Sequence, residues 1–367
     1  MPTLIETDRV EVQVLVDNVT DSLSSTPPFV TREWPALVRQ GMRRVAGGEL
    51  CCANHGLSLV IRAFAGERER VVLFDAGPVD YAVEHNGKRL GIDFAAIEAV
   101  VLSHGHWDHG GGLLKAFELI RATSPRQATP IYLHPGMFAE RGGRQPDGGV
   151  LPMALLPTPD ELATAGAAPE VTVEPRSLLD GMFYLSGEIP RVTAYETGLR
   201  NHVRRNAHGE WEDDPLLMDE RFLAVAVKDK GVVVFTACSH AGVVNVLTHA
   251  RSCFPKQKLF AVMGGFHLSG ETERCIPDTV RDLGTFDLSV IAPGHCTGWR
   301  ARLVKRRWCR LPWARYSHSE PRSPRRERCR TAFRCRYHTR RPAHLDRVRK
   351  PNLRRGIGEP HDGRCVA

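Results

Sequence analysis

The chain has 367 residues, 42% of them hydrophobic, enough for one large folded domain or two ordinary ones. Its net charge of +8 suggests a nucleic-acid partner only until it is divided along the chain: from Arg302 onward 19 Arg and 2 Lys face 3 Glu and 2 Asp, a net of +16, and residues 1–301 carry −8. A basic groove across the body is thereby excluded, and nucleic-acid binding would rest on the tail alone.

The first 18 residues have no basic stretch leading into an apolar run, so no signal peptide is expected. No run of about 18 apolar residues occurs, so no membrane span is expected. Val10 to Val16 alternates and predicts a first strand. Leu57 to Ala63 and Arg70 to Phe74 predict a strand pair turning at Gly66-Glu67-Arg68, with Asp75-Ala76-Gly77 closing the second strand. Phe94 to Ala99 reads as a short helix. Ile97 to Leu102 is apolar and β-branched, a buried strand, and Gly110 to Ile120 then takes a helical period. Pro130 to Leu133 is another strand. Residues 140–220 are rich in Pro, Gly and charge with weak period, and read as an excursion over the active face. Phe222 to Val227 and Gly231 to Thr236 predict a hairpin, Val243 to Ala250 a helix, Leu259 to Met263 a strand, Pro277 to Leu283 a helix and Leu288 to Ala292 a last strand. The order of strands and helices suits an α/β sandwich with helices covering two sheets.

Residues 301–367 are a different kind of sequence, Arg-rich and without sustained apolar period. They read as a disordered basic extension or as a stretch translated out of its frame. Cys51, Cys52, Cys238, Cys253, Cys275 and Cys296 in the body need no disulfide framework at this length and fit a reducing, cytoplasmic setting.

The densest chemistry is His104-Gly105-His106-Trp107-Asp108-His109, three imidazoles and a carboxylate in six positions on a strand-to-helix loop. A polar surface loop explains one histidine but not this quartet, whose residue types suit zinc, iron and manganese. His104 and His106, two apart, can grip one metal. Asp108 and His109, at the turn into the helix, point elsewhere, towards a second. Gly105 relieves the backbone between the histidines. Other strands also end in potential ligands: Asp75, Cys238-Ser239-His240, His267 and His295.

These residues resemble the metallo-β-lactamase superfamily. HGHWDH fits its metal signature, with the FDAG turn (Phe74 to Gly77) before it. CSHAGVVNVL (Cys238 to Leu247), GGFHL (Gly264 to Leu268), SGEIPR (Ser186 to Arg191) and GHCTGW (Gly294 to Trp299) are similar to a subgroup containing archaeal 7,8-dihydropterin-6-methyl-4-(β-D-ribofuranosyl)aminobenzene-5′-phosphate synthases and many metal-dependent hydrolases. The resemblance runs from about residue 10 to residue 300 and implies a four-layer αβ/βα sandwich with a dinuclear site at one sheet edge. It implies His104 and His106 on one metal, and Asp108, His109 and His295 on the other. His240 is the favoured middle ligand, with Cys238 as runner-up, since no aspartate stands where many relatives place a bridging one. His267 is a further ligand or a substrate contact, and Asp75 an orienting partner of a ligand imidazole. The cofactors implied are two divalent ions, zinc first, with manganese, iron or magnesium as alternatives.

Three readings follow. The first is a hydrolase of an ester, lactam or phosphoester, with a metal-activated water and Asp108 orienting it. The second is a transferase joining a dihydropterin-methyl group to an aminobenzene ribotide phosphate. The third is a non-catalytic metal- or ligand-binding protein. The partner expected is a small molecule, phosphorylated or not. Among lesser candidates, His134 reads as structural before ligand, His55 as outside the cleft before within its reach, and Trp107 as cleft wall. His202 and His208 read as solvated, the Arg204-Arg205 pair as a solvated face before a phosphate site on a lid, Cys296 equally as a thiol supporting the neighbouring ligand or as a small buried residue, and Asp214 as doubtful beside Pro215.

Overall fold

In the computed structural model, which describes residues 4–303, two β-sheets face each other and each is covered outside by helices. The first sheet runs Arg9–Val16, Ser58–Ala65, Arg68–Phe74, Ala99–Val101, Thr129–Leu133 and Ala167–Val171. Its first three strands are antiparallel and the rest join in parallel. The second runs Arg176–Leu178, Phe183–Leu185, Leu223–Val227, Gly231–Thr236, Leu259–Gly265 and Val290–Gly294, with Glu6–Thr7 paired to Leu223–Val227.

The two-residue period of a strand explains the layering. Along Ser58–Ala65, Leu59, Ile61 and Ala63 face the second sheet and pack with Phe183, Leu223, Val225 and Phe235. Val60 faces the other way, into the layer formed with helices Asp80–Leu90 and Leu113–Thr123. On the second sheet Val232, Val234 and Val262 turn outward onto helices Val243–Cys253 and Ile276–Leu283. This is a four-layer αβ/βα sandwich, as the resemblance implied.

Residues 140–220 are more ordered than their composition predicts. Arg141–Arg144, Val150–Pro152, His202–Arg205 and Trp211–Asp213 form a separate four-stranded sheet. Helix Pro159–Ala165 is set by a capping box, Thr158 with Glu161, and a left-handed Gly166. Ala167–Val171, Arg176–Leu178 and Phe183–Leu185 belong to the main sheets. These strands are three to five residues long, too short to display a period. Elsewhere boundaries move by a few residues: the strand before the histidine motif is Ala99–Val101, the helix after it Leu113–Thr123, and Phe94–Ala96 is one 3₁₀ turn. The readings of the Arg-rich tail fall outside the described residues, save that helix Trp299–Leu303 holds its first three positions.

The C-terminal ends of Arg68–Phe74, Ala99–Val101, Gly231–Thr236, Leu259–Gly265 and Val290–Gly294 deliver Asp75, the histidine motif, Cys238, His267 and His295 to one edge. Asp75, Ser239, His267 and His295 take φ of 60°, 56°, 40° and 44°. Four of the nine non-glycine residues in the left-handed region among the described residues lie at this edge, each at a cost of order 1–3 kcal/mol.

Candidate metal centre

The motif enters the edge in two conformations. His104 and Gly105 leave the strand in a loop, His106 is the extended residue before a one-turn helix, and Asp108 and His109 lie in that turn, Trp107–Gly110. Gly105 is required by crowding and not by a positive φ: a Cβ there would lie 2.5 Å from the Met137 carbonyl oxygen. Its N–H donates to Asp219 Oδ2 at 2.7 Å, and Asp219 Oδ1 accepts from Arg141 at 2.7 Å. The small sheet thus clamps the loop between its two histidines.

Hydrogen bonds fix which nitrogen of each ring is bare. Ser103 Oγ donates to Asp75 Oδ2 at 2.8 Å, so it accepts from His104 Nδ1 at 2.9 Å and leaves His104 Nε2 bare. His109 donates from Nδ1 to Asp75 Oδ2 at 2.7 Å, leaving its Nε2 bare 3.2 Å from Cys238 Sγ. Gly56 N–H donates to Asn18 Oδ1 at 2.9 Å, which identifies that atom as the oxygen. His295 Nδ1, 2.8 Å from the same oxygen, is therefore the donor, and Nε2 turns to Cys238 Sγ at 3.1 Å. Asp108 Oδ2 lies 3.6 Å from His109 Nε2 and 3.4 Å from His295 Nε2. His104 Nε2 lies 3.1 Å from His106 Nδ1. His240 meets His104 and His106 edge-on, with ring centroids 4.8 and 4.9 Å away, and is buried with neither ring nitrogen partnered.

Bare nitrogens, a carboxylate and a thiol aimed at one another are costly unless a cation joins them. The ligand atoms fall into three groups, each within 4.8 Å: Asp108, His109, Cys238 and His295; His104, Cys238 and His240; and Cys238, His267 and Cys296. Cys238 is common to all three, so both middle candidates from sequence, His240 and Cys238, reach the centre. The donor set fits divalent metal, and with four or more imidazoles and a thiol it suits soft or borderline ions better than magnesium.

Burial and neighbouring charge set the protonation states, and His295 stands apart from the other rings. Burial holds His104, His106 and His240 well below the ordinary imidazole range, with neighbouring rings reinforcing it at His104 and His240. Burial alone would raise Asp108, but His109, His295 and His106 outweigh it and hold the carboxyl well below the usual range. Burial opposes a proton on His295, yet Cys296 and Asp108 raise it to about 10.

Among lesser candidates, Asp75 orients His109 and, through Ser103, His104. His55 is mostly exposed, with Nε2 3.5 Å from Asp108 Oδ2 and its ring stacked on Trp107. His134 is buried, accepts from Gly136 N–H and pairs with Glu188. Cys296 Sγ sits 3.3 Å from Cys238 Sγ. The His267 ring lies tilted against His240, centroids 4.5 Å apart, with Nδ1 unpartnered. Arg204 and Arg205 are tied to Glu212 and Glu140, and Asp214 lies 3.7 Å from Arg141. The expectation of a solvated His202 is overturned: it is 3% exposed, because the small sheet folds it beneath the motif. His208 is exposed as expected. Sequence reasoning missed Asn18, Ser103, Arg141, Asp219 and Glu220, the last accepting the backbone N–H of His240 and Ala241 at 2.8 and 2.6 Å. Beside the centre a small half-open pocket is lined by Tyr195, Leu199, His240, His267, Thr272 and Arg274.

A four-layer sandwich with a histidine-rich centre at one sheet edge is the architecture of the metallo-β-lactamase fold. Residues 54–190 match the metallo-beta-lactamase superfamily model. It is 28% identical over 263 residues to 7,8-dihydropterin-6-methyl-4-(beta-D-ribofuranosyl)-aminobenzene-5′-phosphate synthase of Methanocaldococcus jannaschii, covering 68% of this chain and 83% of that protein. An uncharacterized protein of the same organism is 28% identical over 253 residues, covering 68% and 86%. The crystal structure of Tm1679, described as a metal-dependent hydrolase of the beta-lactamase superfamily, superposes with a TM-score of 0.59 at 23% identity, covering 82% of this chain and 93% of that one.

Proposed function

We propose that this protein is a metal-dependent hydrolase. His104, His106 and His240 would hold one ion and Asp108, His109 and His295 the other, with Cys238 reaching both. The observation that carries this is the polarity of the rings: each of His104, His109 and His295 spends one nitrogen on an outer acceptor and turns the other inward. When bound, the ions supply Lewis acidity to the reacting oxygen and acidify a water. The chain's own residues do the rest. Asp108, kept ionised, accepts a proton or a hydrogen bond from the attacking group at Oδ2. His267, which lines the pocket, donates to or accepts from the substrate. His55 and Trp107 wall the solvent side of Asp108.

The test is a panel of lactones, carboxylic esters, lactams and phosphodiesters. Turnover lost on chelation, restored by zinc or manganese and abolished in Asp108→Ala is the expected result. Full turnover by metal-stripped protein would refute it.

The alignment over 83% of the synthase favours a second reading. Here an arylamine nitrogen attacks the methylene carbon of a hydroxymethyl-dihydropterin diphosphate, the carbon–oxygen bond breaks, and diphosphate leaves. Incubation with both substrates separates the two: condensed product with stoichiometric diphosphate selects the transferase, and its absence alongside ester turnover selects the hydrolase.

A further inference from the structure

We propose that His202 is a positioning residue for His106: it accepts the Nε2–H of His106 and so turns the Nδ1 lone pair of His106 into the metal centre. The inference rests on the metal-centre reading above and adds a residue supplied by the small sheet.

The hydrogen bonds leave little freedom. His202 Nδ1 lies 2.8 Å from the Asp214 carbonyl oxygen, which can only accept. The proton of the neutral His202 ring is therefore on Nδ1, and Nε2 is bare. His106 Nε2 lies 3.0 Å from that bare nitrogen. Two bare nitrogens at this distance repel, so His106 carries its proton on Nε2 and leaves Nδ1 bare. That Nδ1 is 3.1 Å from His104 Nε2, itself bare because His104 Nδ1 donates to Ser103. Two linked choices, from the Asp214 carbonyl through His202 to His106, and the separate choice at His104 end in two lone pairs pointing at one place. The alternative is that His202 is itself a ligand. That would direct its Nε2 at a cation and leave the N–H of His106 without its acceptor.

The position of His202 is built. His202 opens strand His202–Arg205, paired antiparallel to Arg141–Arg144 with His202 opposite Gly143. Asp214 N–H donates to the His202 carbonyl at 3.0 Å, so the same two residues are bonded through backbone and side chain. Arg141, on the neighbouring strand, reaches the motif through Asp219 and the N–H of Gly105. The small sheet thus holds the histidine loop at two points, His106 and Gly105, and the first sets the ring's tautomer.

The experiment uses the full chain, wild type, His202→Gln and His202→Leu. Glutamine offers an oxygen that can accept the same N–H; leucine offers nothing. Zinc stoichiometry and affinity are measured by chelator competition, and ring tautomers by long-range ¹H–¹⁵N spectra of ¹⁵N-histidine-labelled protein. His202→Leu is expected to keep the full zinc complement but bind about 10- to 100-fold more weakly, the usual cost of losing an outer partner of a ligand histidine. His202→Gln should stay near wild type, and the wild-type spectrum should show His106 protonated at Nε2 and His202 at Nδ1. Wild-type affinity in His202→Leu overturns the proposal, as does loss of a whole zinc equivalent in His202→Gln, which would make His202 a ligand. If His202→Leu does not fold, the wild-type tautomers decide: a proton on His106 Nδ1 refutes the assignment. Failure of the wild type to bind zinc is a separate result, which refutes the metal-centre reading itself.

Discussion

Replacing Asp75 by Asn should disable two ligand histidines at once while leaving the side-chain volume unchanged. Asp75 is fully buried; Oδ1 accepts Ser103 N–H at 2.7 Å, and Oδ2 accepts both Ser103 Oγ–H and His109 Nδ1–H. An asparagine that keeps its oxygen on Ser103 N–H must turn its amide towards His109 and Ser103 Oγ. His109 then faces a donor and must move its proton to Nε2, the nitrogen that points at Cys238. Ser103 Oγ, now accepting from the amide, donates to His104 and moves that ring's proton to Nε2 as well. Each outer partner lost costs about 10- to 100-fold in metal affinity, so the pair predicts a loss of about 10² to 10⁴. At 1.4 kcal/mol per factor of ten this is about 3 to 5.5 kcal/mol. Folding stability should fall less, by about 1–3 kcal/mol for one mispaired buried polar group. The assay is zinc affinity by chelator competition, with Ser103→Ala as a control that disturbs His104 alone and should lose only about 10-fold. Asp75→Asn protein that folds and binds zinc within about threefold of wild type would refute the claim that these outer bonds set the ring tautomers.

Metal affinity should rise with pH, because a cation at His295 competes with a proton held there up to about 10; isothermal titration in buffers of different ionisation enthalpy should show net proton release on zinc binding, and no release would contradict the assigned state of His295. Glu196 caps the start of helix Val243–Cys253 through the N–H groups of Val244 and Asn245, yet burial dominates and raises it from 4.5 to about 7. A folded-state value above the unfolded one means that the folded protein holds this proton more tightly, so its contribution is fully present below 4.5 and is lost as pH rises towards 7. At 1.36 kcal/mol per unit, wild-type stability should fall by about 3 kcal/mol across that window relative to Glu196→Gln, read by urea unfolding at several pH values; parallel curves would refute it. Phe235, fully buried between the sheets, should cost about 3–5 kcal/mol when cut to Ala, and a loss below about 1 kcal/mol would mean that the two sheets do not share a close-packed core there.

What could be read from sequence was what repeats or clusters. Strands such as Arg9–Val16 and Gly231–Thr236 show in the alternation of their apolar residues, and the histidine motif shows in its density. Asp75, His240, His267 and His295 stood out because each follows an apolar run that ends abruptly. What the sequence did not display is pairing at a distance. Asn18 meets His295 across 277 positions, and Asp219 meets Gly105 across 114, with no local pattern at either end. His202 lies among charged residues whose strand is four residues long and exposed at its far end, so its composition argues for solvent while the sheet register buries it. The left-handed backbone at Asp75, Ser239, His267 and His295 is equally silent, since none of these is glycine.

The most direct test is the metal content of the purified full chain, measured by elemental analysis beside Asp108→Ala. About two equivalents of zinc, iron or manganese per chain, with at least one lost in the variant, is the result predicted for a paired centre. Well-folded wild-type protein that holds no metal, and takes up none on dialysis against zinc or manganese, would contradict it.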